Sequence, residues 1–383
     1  MKDLIATTLF GLEDILSGEL QALGAESVRT HNRAVSFAGD KAMIYRANYH
    51  LRTALRILKP IRSFPAQNEN DIYREIREIG WERHVETRDL IAVETVLLSK
   101  KYRHSGFISQ RVKDGIVDRF RDRTGKRPSV DLKDPNVRIH IHLTDTHCSV
   151  SLDSSGDSLH KRGYRTQPYK APLNEVLAAG MLYLSGWSPE IAFLNPMCGS
   201  GTLCIEAGMI ARGLPGGHFR NGFGFQKWKD YDPVLFESIR RERYLTEHEK
   251  FRIYACDVAP EAIQATQQNL ASAGMLGKVE LKRTAFESWD IAMGEGILIM
   301  NPPYGERMED GNLSELYRSI GDTLKQKYKG FQAWVLSGNP EALKHLGLRP
   351  EKKLSLFNGP IQCKYQKYDL YEGSRKNVNK TGS

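Results

Sequence analysis

The segment Ile297–Tyr304 constrains the fold of this chain more than any other. It opens with four apolar residues, Ile297–Met300, and a short continuous apolar run of this kind predicts a strand buried in a parallel sheet. The residues Asn301-Pro-Pro-Tyr304 follow at once. Ligands of open α/β sheets bind beyond the carboxyl ends of the strands. We therefore expect these four residues to lie at a binding site.

The same four residues carry two hydrogen-bond acceptors and a flat ring. Asn301 offers a side-chain carbonyl, Pro302 a backbone carbonyl on a residue with fixed φ, and Tyr304 an aromatic face. A planar NH2 group needs such partners before it attacks an electrophile, because acceptors on both N–H groups favour a pyramidal, more nucleophilic nitrogen. We predict a catalytic role for these three residues and a substrate contact for Pro303. The alternative is a proline-rich turn that only ends a strand.

A glycine loop lies upstream of this segment. Ile191–Leu194 predicts a strand, Gly199 and Gly201 predict a tight loop, and a helix is expected from about Thr202. Glycines let the backbone approach a ligand closely, and a helix N-terminus presents free N–H groups. A Gly-x-Gly sequence also serves nucleotide phosphates. Here no Gly-Lys-Ser/Thr follows, so a P-loop is excluded, and the third glycine of the dinucleotide fingerprint is missing.

An acidic residue ends a further predicted strand, Phe251–Asp257, and a helix is expected from Pro260. An acid in this place can hold two ribose hydroxyls, as in dinucleotide-binding folds. The distance from the glycine loop to Asp257 is longer than the usual spacing of about 20 residues. The excess is an insertion at 213–250. The alternative for Asp257 is a helix N-cap.

The three motifs, in this order, resemble a class I amino methyltransferase that uses S-adenosylmethionine. Four segments narrow the resemblance to bacterial RNA methyltransferases with a THUMP domain, and among these to the enzymes that make N2-methylguanine in large-subunit ribosomal RNA. The four segments are Leu159–Arg165, Ala171–Glu175, Pro196–Thr202 and Asn301–Arg307. The resemblance extends over almost the whole chain, to about Gly373.

The family resemblance implies the fold and the cofactor site. The fold is α/β: a Rossmann-like class I methyltransferase domain preceded by ferredoxin-like and THUMP α/β domains. Gly199, Ser200 and Gly201 would pass under the methionine part of S-adenosylmethionine, and Asp257 would bind its ribose. The residues expected to bind the cofactor are Asn195, Pro196, Cys198, Gly199, Ser200, Gly201, Thr202, Asp257, Val258, Ala285 and Phe286.

Two positions depart from the family pattern. Asn195 stands where the family usually has Asp, which removes a charge near the cofactor amino group, although Asn still accepts a hydrogen bond. Ala285 and Phe286 stand where an acidic residue often contacts the adenine. We expect the Phe286 ring to stack on the adenine, and the polar adenine contact to come from the backbone or from elsewhere.

The N-terminal half predicts two small α/β units. We expect a ferredoxin-like domain at 1–62, a THUMP domain at 63–155, the methyltransferase domain at 156–373 and a disordered tail at 374–383. Pro60–Asn70 is expected to be a linker. The helix expected at Ser105–Arg123 has a buried stripe of Ile108, Val112, Ile116 and Phe120.

Basic residues predict where RNA binds. The chain has a net charge of +9, which suits a polyanionic partner. Arg111, Arg119 and Arg123 lie on the helix of the THUMP domain, and the commoner meaning of such charge is a solvated face. Lys161 and Arg162 begin a basic linker that either clamps RNA or lines the cofactor site. All five are predicted to bind substrate, taken to be 23S ribosomal RNA, free or in a pre-ribosomal particle.

The remaining features are weaker guides. His218–Trp228, inside the insertion, interleaves aromatic and basic residues, which suits a cofactor lid, base stacking or simple packing. The five cysteines contain no Cys-x-x-Cys pair, so we expect reduced core residues and no metal. The absence of a signal peptide or long apolar stretch predicts a soluble, cytoplasmic protein with no membrane partner. The oligomeric state is left open.

The sequence thus predicts an enzyme, a ribosomal RNA guanine-N2 methyltransferase. Asn-Pro-Pro-Tyr is shared with enzymes that methylate adenine N6 or protein glutamine, and another RNA such as transfer RNA is an alternative substrate. An alternative of another class is a non-catalytic RNA-binding factor for ribosome assembly, which Asn195 and Ala285 favour and an intact Asn301–Tyr304 opposes.

Overall fold

The computed structural model describes residues 2–166, 172–291, 294–304 and 310–371. The first half contains β1 (Lys2–Thr7), α1 (Glu13–Ala22), β2 (Glu26–His31), β3 (Ala34–Gly39), α2 (Lys41–His50), β4 (Arg56–Pro65), α3 (Glu69–Glu78), β5 (Leu90–Leu98), α4 (Ser105–Thr124), β6 (Ser129–Val130), β7 (Val137–Thr144) and β8 (His147–Asp153). The second half contains α5 (Glu175–Ser185), β9 (Phe193–Pro196), α6 (Thr202–Ala211), α7 (Pro233–Arg241), β10 (Ile253–Asp257), α8 (Pro260–Ser272), β11 (Glu280–Arg283), β12 (Ile297–Met300), α9 (Asp310–Lys327), β13 (Gln332–Ser337), α10 (Pro340–Lys344), β14 (Lys352–Asn358) and β15 (Ile361–Asp369).

The chain forms two compact units that do not follow its linear order. The first unit contains Met1–Thr8, Leu16–Lys161 and Arg220–Glu242. The second contains Leu9–Ile15, Arg162–Phe219 and the chain from Arg243 onward. The central part of the predicted insertion therefore belongs to the N-terminal unit.

The first unit has one sheet in the order β2-β3-β1-β4-β8-β7-β5-β6. Helix α4 buries the predicted stripe of Ile108, Val112, Ile116 and Phe120, which confirms that prediction. Gly115 lets α4 approach α3 closely, because a Cβ at this position would lie 2.9 Å from Ile76 Cγ2. The strand β2 was not predicted, since nearly all of its residues are exposed and it lacks an apolar alternation.

The predicted linker at Pro60–Asn70 is wrong over its first half. Strand β4 runs through it and pairs antiparallel with β1 over 56–58 and with β8 over 58–65. The proline at position 60 is tolerated because the register of β4 against β8 shifts between Pro60 and Arg62. The segment that reads as a linker is therefore the strand that joins the two halves of the sheet.

The second unit has a sheet in the order β11-β10-β9-β12-β13-β15-β14. The strands from β11 to β13 are parallel, which confirms the parallel sheet predicted from Ile297–Met300, and β15 and β14 form an antiparallel edge. The chain order reverses between β9 and β12, which is the topological switch point where open α/β sheets bind ligands. Asn195, Asp257 and Asn301 stand at or just beyond the carboxyl ends of β9, β10 and β12.

Within the described ranges, no helix combines the length and the apolar character needed to cross a bilayer. The same ranges contain no group of three or more His, Cys, Asp or Glu residues placed to hold a metal ion. The predicted tail at 374–383 lies outside the described residues, as do Ala171 and the segment 305–307 of the motifs above.

Candidate active site

The glycine loop has the backbone conformation that glycine permits. Gly199 and Gly201 have φ of 58° and 77°. A Cβ at Gly201 would lie 2.8 Å from Thr266 Cγ2, so a larger residue is excluded on two grounds. Gly201 is also the N-cap residue of α6 and has no side chain to bind the first N–H groups of that helix. This helix end is therefore suited to a negatively charged group.

Two side chains of helix α8 bind the backbone carbonyls of the glycine loop. Thr266 Oγ1 donates to the Gly199 carbonyl at 2.8 Å, and Asn269 Nδ2 donates to the Ser200 carbonyl at 3.1 Å. Both side chains are buried. Neither residue was predicted as part of the site, although their spacing of three places them on one face of α8.

Asp257 joins the glycine loop to β10. Its Oδ2 accepts a hydrogen bond from the Gly199 N–H at 3.0 Å, and its Oδ1 accepts one from the Ala259 N–H at 3.0 Å. The N-cap residue of α8 is Ala259, so the alternative role of Asp257 as the N-cap is wrong. A carboxylate has about four acceptor positions, so two backbone bonds leave room for hydroxyl groups. The neighbouring residue Val258 is 67% exposed.

Asn195 bridges β9 and β12 where the two strands part. The pairing of these strands ends at Leu194 and Leu298. Beyond that point Asn195 Nδ2 donates to the Ile299 carbonyl at 2.8 Å, and its Oδ1 lies 3.4 Å from Cys204 Sγ. An ionised Asp has no proton to donate to a carbonyl. The amide therefore braces the switch point in a way that the usual carboxylate could not.

The segment after β12 keeps one acceptor unbound. Asn301 Oδ1 is buried, and no donor among the described residues reaches it. Pro302 is buried and Pro303 is exposed. The segment is fixed by Tyr317, whose hydroxyl donates to the Pro303 carbonyl at 3.4 Å and lies 2.7 Å from Ser337 Oγ.

Tyr304 is held by its hydroxyl and by its ring. The hydroxyl accepts a hydrogen bond from Asn358 Nδ2 at 2.8 Å. The ring lies over Gly338, where a Cβ would come within 2.8 Å of Tyr304 Cδ2. Burial raises the pKa of Tyr304 well above its usual value, so the phenol is neutral near pH 7.

The predicted stacking of the Phe286 ring on the adenine is wrong. This side chain is 2% exposed and its ring stacks on Tyr328, with centroids 5.2 Å apart and planes 17° apart. It therefore belongs to the core of the second unit, and the adjacent Ala285 is only partly buried.

Pro196 and Cys198, at the start of the glycine loop, are buried, and burial raises the pKa of Cys198 to about 12. Cys198 is therefore a thiol and not a nucleophile.

Two of the five predicted RNA-binding residues have largely buried side chains that are held in ion pairs. Arg119 is 11% exposed and binds Glu82 through two nitrogens, at 3.0 and 3.2 Å, which contradicts its predicted RNA contact. Arg162 is 1% exposed and pairs with Glu206, so its prediction is wrong for the same reason. Charge in the sequence does not reveal such pairing.

The other three basic residues are more accessible. Arg111 donates to Asn70 Oδ1 at 2.7 Å and lies over the Tyr73 ring, at 4.6 Å from its centroid. Arg123 and Lys161 have side chains that are 61% and 60% exposed. These two keep the surface position that contact with phosphates requires.

The aromatic residues of the insertion are packed within the first unit. Phe223, Phe225 and Trp228 are each less than 10% exposed. Phe225 stacks on Tyr45 with centroids 4.3 Å apart. Of the roles considered for these rings, packing is confirmed, and base stacking by these three is excluded.

Three family models match the chain in succession. A ferredoxin-like domain (RlmL ferredoxin-like) matches residues 3–58, a THUMP domain matches 66–153, and an RMKL-like methyltransferase domain matches 162–367. A protein of Synechocystis provisionally named an RNA methyltransferase (slr0064) is 38% identical over 96% of both chains. The ribosomal RNA large subunit methyltransferase K/L of Syntrophotalea carbinolica is also 38% identical, over 96% of this chain and 53% of its own length. The chain thus spans about half the length of the K/L relatives it matches.

Two solved structures are similar to this chain over almost its whole length. SMU.472, a protein provisionally named a methyltransferase and crystallised with S-adenosylhomocysteine, is 28% identical with a TM-score of 0.86, and the match covers 97% of this chain and 99% of that one. A Listeria monocytogenes protein provisionally named an N6-adenine-specific DNA methylase is 26% identical, with a TM-score of 0.86 and 96% of each chain covered.

Proposed function

Because the chain belongs to the family of RMKL-like methyltransferases, we propose that it transfers a methyl group to the exocyclic N2 amine of a guanine in 23S ribosomal RNA. Membership of this family makes the chain a methyltransferase that uses S-adenosylmethionine. The base, the atom and the RNA are the proposal.

The observation that carries the proposal is the buried Oδ1 of Asn301, which no donor in the described ranges reaches. Leaving a buried acceptor without a donor costs about 1–3 kcal/mol. An exocyclic amine brought to this position supplies the donor. The Pro302 carbonyl, on a residue with fixed φ, is the second acceptor that we assign to the same amine.

The residues at the switch point fit S-adenosylmethionine. The N–H groups at the start of α6 suit its methionine carboxylate, Asp257 suits the ribose hydroxyls, and the exposed Val258 suits the adenine face. When bound, this cofactor supplies a methyl group on a sulfonium, which is already an electrophile.

The remaining work of the chain is positioning. The base leaves its stack at a cost of a few kcal/mol, and stacking on the Tyr304 ring contributes about 1–3 kcal/mol in return. Asn301 and Pro302 orient the amine toward the methyl group. No general base is required before attack, since the proton can leave once the nitrogen is cationic. Most of the rate gain would then come from orientation and exclusion of water.

Several features support RNA as the substrate. The THUMP match, the net charge of +9 and the exposed Arg123 and Lys161 all suit a polyanion. Phosphate contacts of this kind give affinity but little choice of sequence. The selection of one guanine would fall to RNA shape and to the pocket.

A second candidate is the N6 amine of adenine. The Listeria neighbour carries that name, and Asn301 Oδ1 can accept from either exocyclic amine. The two candidates differ in the modified nucleoside that they produce.

The test is methyl transfer from labelled S-adenosylmethionine to ribosomal RNA from a strain that lacks this protein, followed by nucleoside analysis. Free RNA, pre-ribosomal particles and transfer RNA are compared, with Asn301→Ala as the inactive control. Label in N2-methylguanine of 23S RNA is the expected result. Label in N6-methyladenine would replace the proposed base, and label only in transfer RNA would replace the proposed RNA.

A further inference from the structure

The basic linker predicted either to clamp RNA or to line the cofactor site continues into the second unit as Arg162–Arg165. Arg162 and Tyr164 both bind the buried Glu206 of α6. Arg165 lies beside the glycine loop. The side chains of this stretch therefore face the interior of the methyltransferase domain.

The Arg165 guanidinium joins the residues on both sides of Gly201. Its Nη1 donates to Ser200 Oγ at 3.0 Å, and its Nη2 donates to Thr202 Oγ1 at 3.1 Å. Gly201, between these two residues, has the positive φ that shapes the loop. One planar group thus fixes the side chains that precede and follow the turn.

A carboxylate and a carbonyl fix the guanidinium in turn. Arg165 Nε and Nη2 donate to Glu175 Oε1 at 3.1 and 2.9 Å, and Nη2 also donates to the Leu173 carbonyl at 3.1 Å. A cation beside the N-terminus of α6 is unfavourable by itself. Glu175, whose side chain is 7% exposed, offsets that charge. The fork of a guanidinium can serve these partners together, whereas the single ammonium of Lys cannot.

We propose that Arg165 is a positioning residue for the cofactor. It holds the hydroxyls of Ser200 and Thr202, and through them the backbone of Gly201 and the first turn of α6, in the arrangement that receives the methionine end of S-adenosylmethionine. Arg165 takes no part in the chemical step. This inference rests on the proposed use of the glycine loop as the cofactor site.

The experiment compares Arg165→Lys with wild type. Calorimetry measures the Kd for S-adenosylhomocysteine, which needs no RNA, and kinetics measure KM and kcat. We expect the Kd and the cofactor KM to rise about tenfold, as expected for a loss of about 1.4 kcal/mol. The kcat at saturating cofactor should stay within about threefold of wild type, because the Asn301 segment is untouched.

Arg46→Lys is the matched control. Arg46 also makes a two-nitrogen pair with a glutamate, Glu242, and both side chains are 28% exposed. This pair belongs to the first unit. We expect its loss to leave the Kd for S-adenosylhomocysteine unchanged. An equal rise in Kd in both variants would overturn the proposal, because the effect would then be general destabilisation.

A double-mutant cycle tests the route of the effect. If Arg165 acts through Ser200, then Ser200→Ala weakens binding, and adding it to Arg165→Lys produces less than the sum of the two effects. Additive effects would overturn the proposal. Should Arg165→Lys fail to fold, Ser200→Ala and Thr202→Val still remove one acceptor each, and unchanged binding in both would overturn it.

The outcome also separates this inference from the proposed function. A folded wild-type protein that fails to bind S-adenosylhomocysteine would remove the cofactor site itself. If wild type binds S-adenosylhomocysteine and Arg165→Lys binds it with the same Kd, the proposed function stands. Only the proposed role of Arg165 is then removed.

Discussion

The glycine loop and the Asn301–Tyr304 segment follow neighbouring strands, yet they are held in different ways. The glycine loop is fixed by polar and charged side chains that bind its own backbone and hydroxyls, from Asp257, Thr266, Asn269 and Arg165. The Asn301–Tyr304 segment is fixed by two prolines and by neutral groups around Tyr304 and Tyr317. Within the described part of the chain, Asn301 Oδ1 has no donor. A loop that is held in place by side chains and presents uncapped N–H groups at the start of α6 is suited to binding an anionic group, and a rigid segment with an available acceptor is suited to chemistry.

Removing the unbound acceptor is expected to have the largest effect. Asn301→Ala should lower kcat by about 10²-fold or more, by analogy with the loss of one preorganised polar contact. The Kd for S-adenosylhomocysteine should stay near the wild-type value, because the glycine loop is intact. Single-turnover kinetics and calorimetry measure the two quantities. Wild-type kcat in this variant would remove Asn301 from the mechanism.

A substitution in the glycine loop should change the Kd for the cofactor, in contrast to Asn301→Ala, which should change kcat. Gly201→Ala adds a Cβ near Thr266 Cγ2 at a residue with φ of 77°, so the loop must shift. We expect the Kd for S-adenosylhomocysteine to rise by about tenfold or more, since strain of about 1–3 kcal/mol must be relieved. The companion change Thr266→Ser removes Cγ2 but keeps the hydroxyl that binds Gly199. The double variant should recover part of the affinity, and no recovery would show that backbone strain alone matters.

The hydroxyl of Tyr304 should have the smallest effect. Tyr304→Phe keeps the ring and loses the hydrogen bonds from Asn358 Nδ2 and Cys363 Sγ, so kcat should fall by about fivefold or less, the scale of about 1 kcal/mol for neutral hydrogen bonds. Because burial raises the pKa of Tyr304, the native phenol stays neutral as the pH rises through 10. The alkaline limb of the pH–rate profile should therefore be the same in wild type and Tyr304→Phe. A limb near pH 10 that disappears in Tyr304→Phe would contradict this.

The parts of the site that the sequence predicted are those encoded by neighbouring residues. The strand before Asn301, the turn at Gly199 and Gly201 and the acid that ends β10 each follow from a local pattern. The errors concern burial and pairing over long distances. The identity of Phe286 does not show whether its ring stacks on an adenine or on Tyr328. The charge of Arg119 likewise does not show whether it binds RNA or Glu82.

Arg165 is a residue of the site that local sequence patterns do not identify, because its partners are distant in the chain. It stands in a run of basic residues, and its partners Ser200 and Thr202 are 35 and 37 positions away. The sequence left two roles open for this basic run, clamping RNA or lining the cofactor site, and the fold turns the Arg165 side chain toward the glycine loop. Thr266 and Asn269 were overlooked because polar residues on a helix are ordinarily solvent-facing.

The assignment of 220–242 to the first unit affects how the protein is made. Phe225 completes the cluster around Tyr45, although 180 positions of sequence separate them. The segment Leu9–Ile15 lies in the second unit, where Leu12 fills the space at Gly180, within 2.5 Å of where a Cβ would lie. During synthesis, the N-terminal unit therefore cannot complete its core until residue 242 has left the ribosome, after Arg162–Phe219 of the second unit has already emerged. A fragment cut at the end of the THUMP match would lack Phe225 and leave Tyr45 without its stacking partner, and we expect it to be less soluble than the full chain because its apolar surface is exposed.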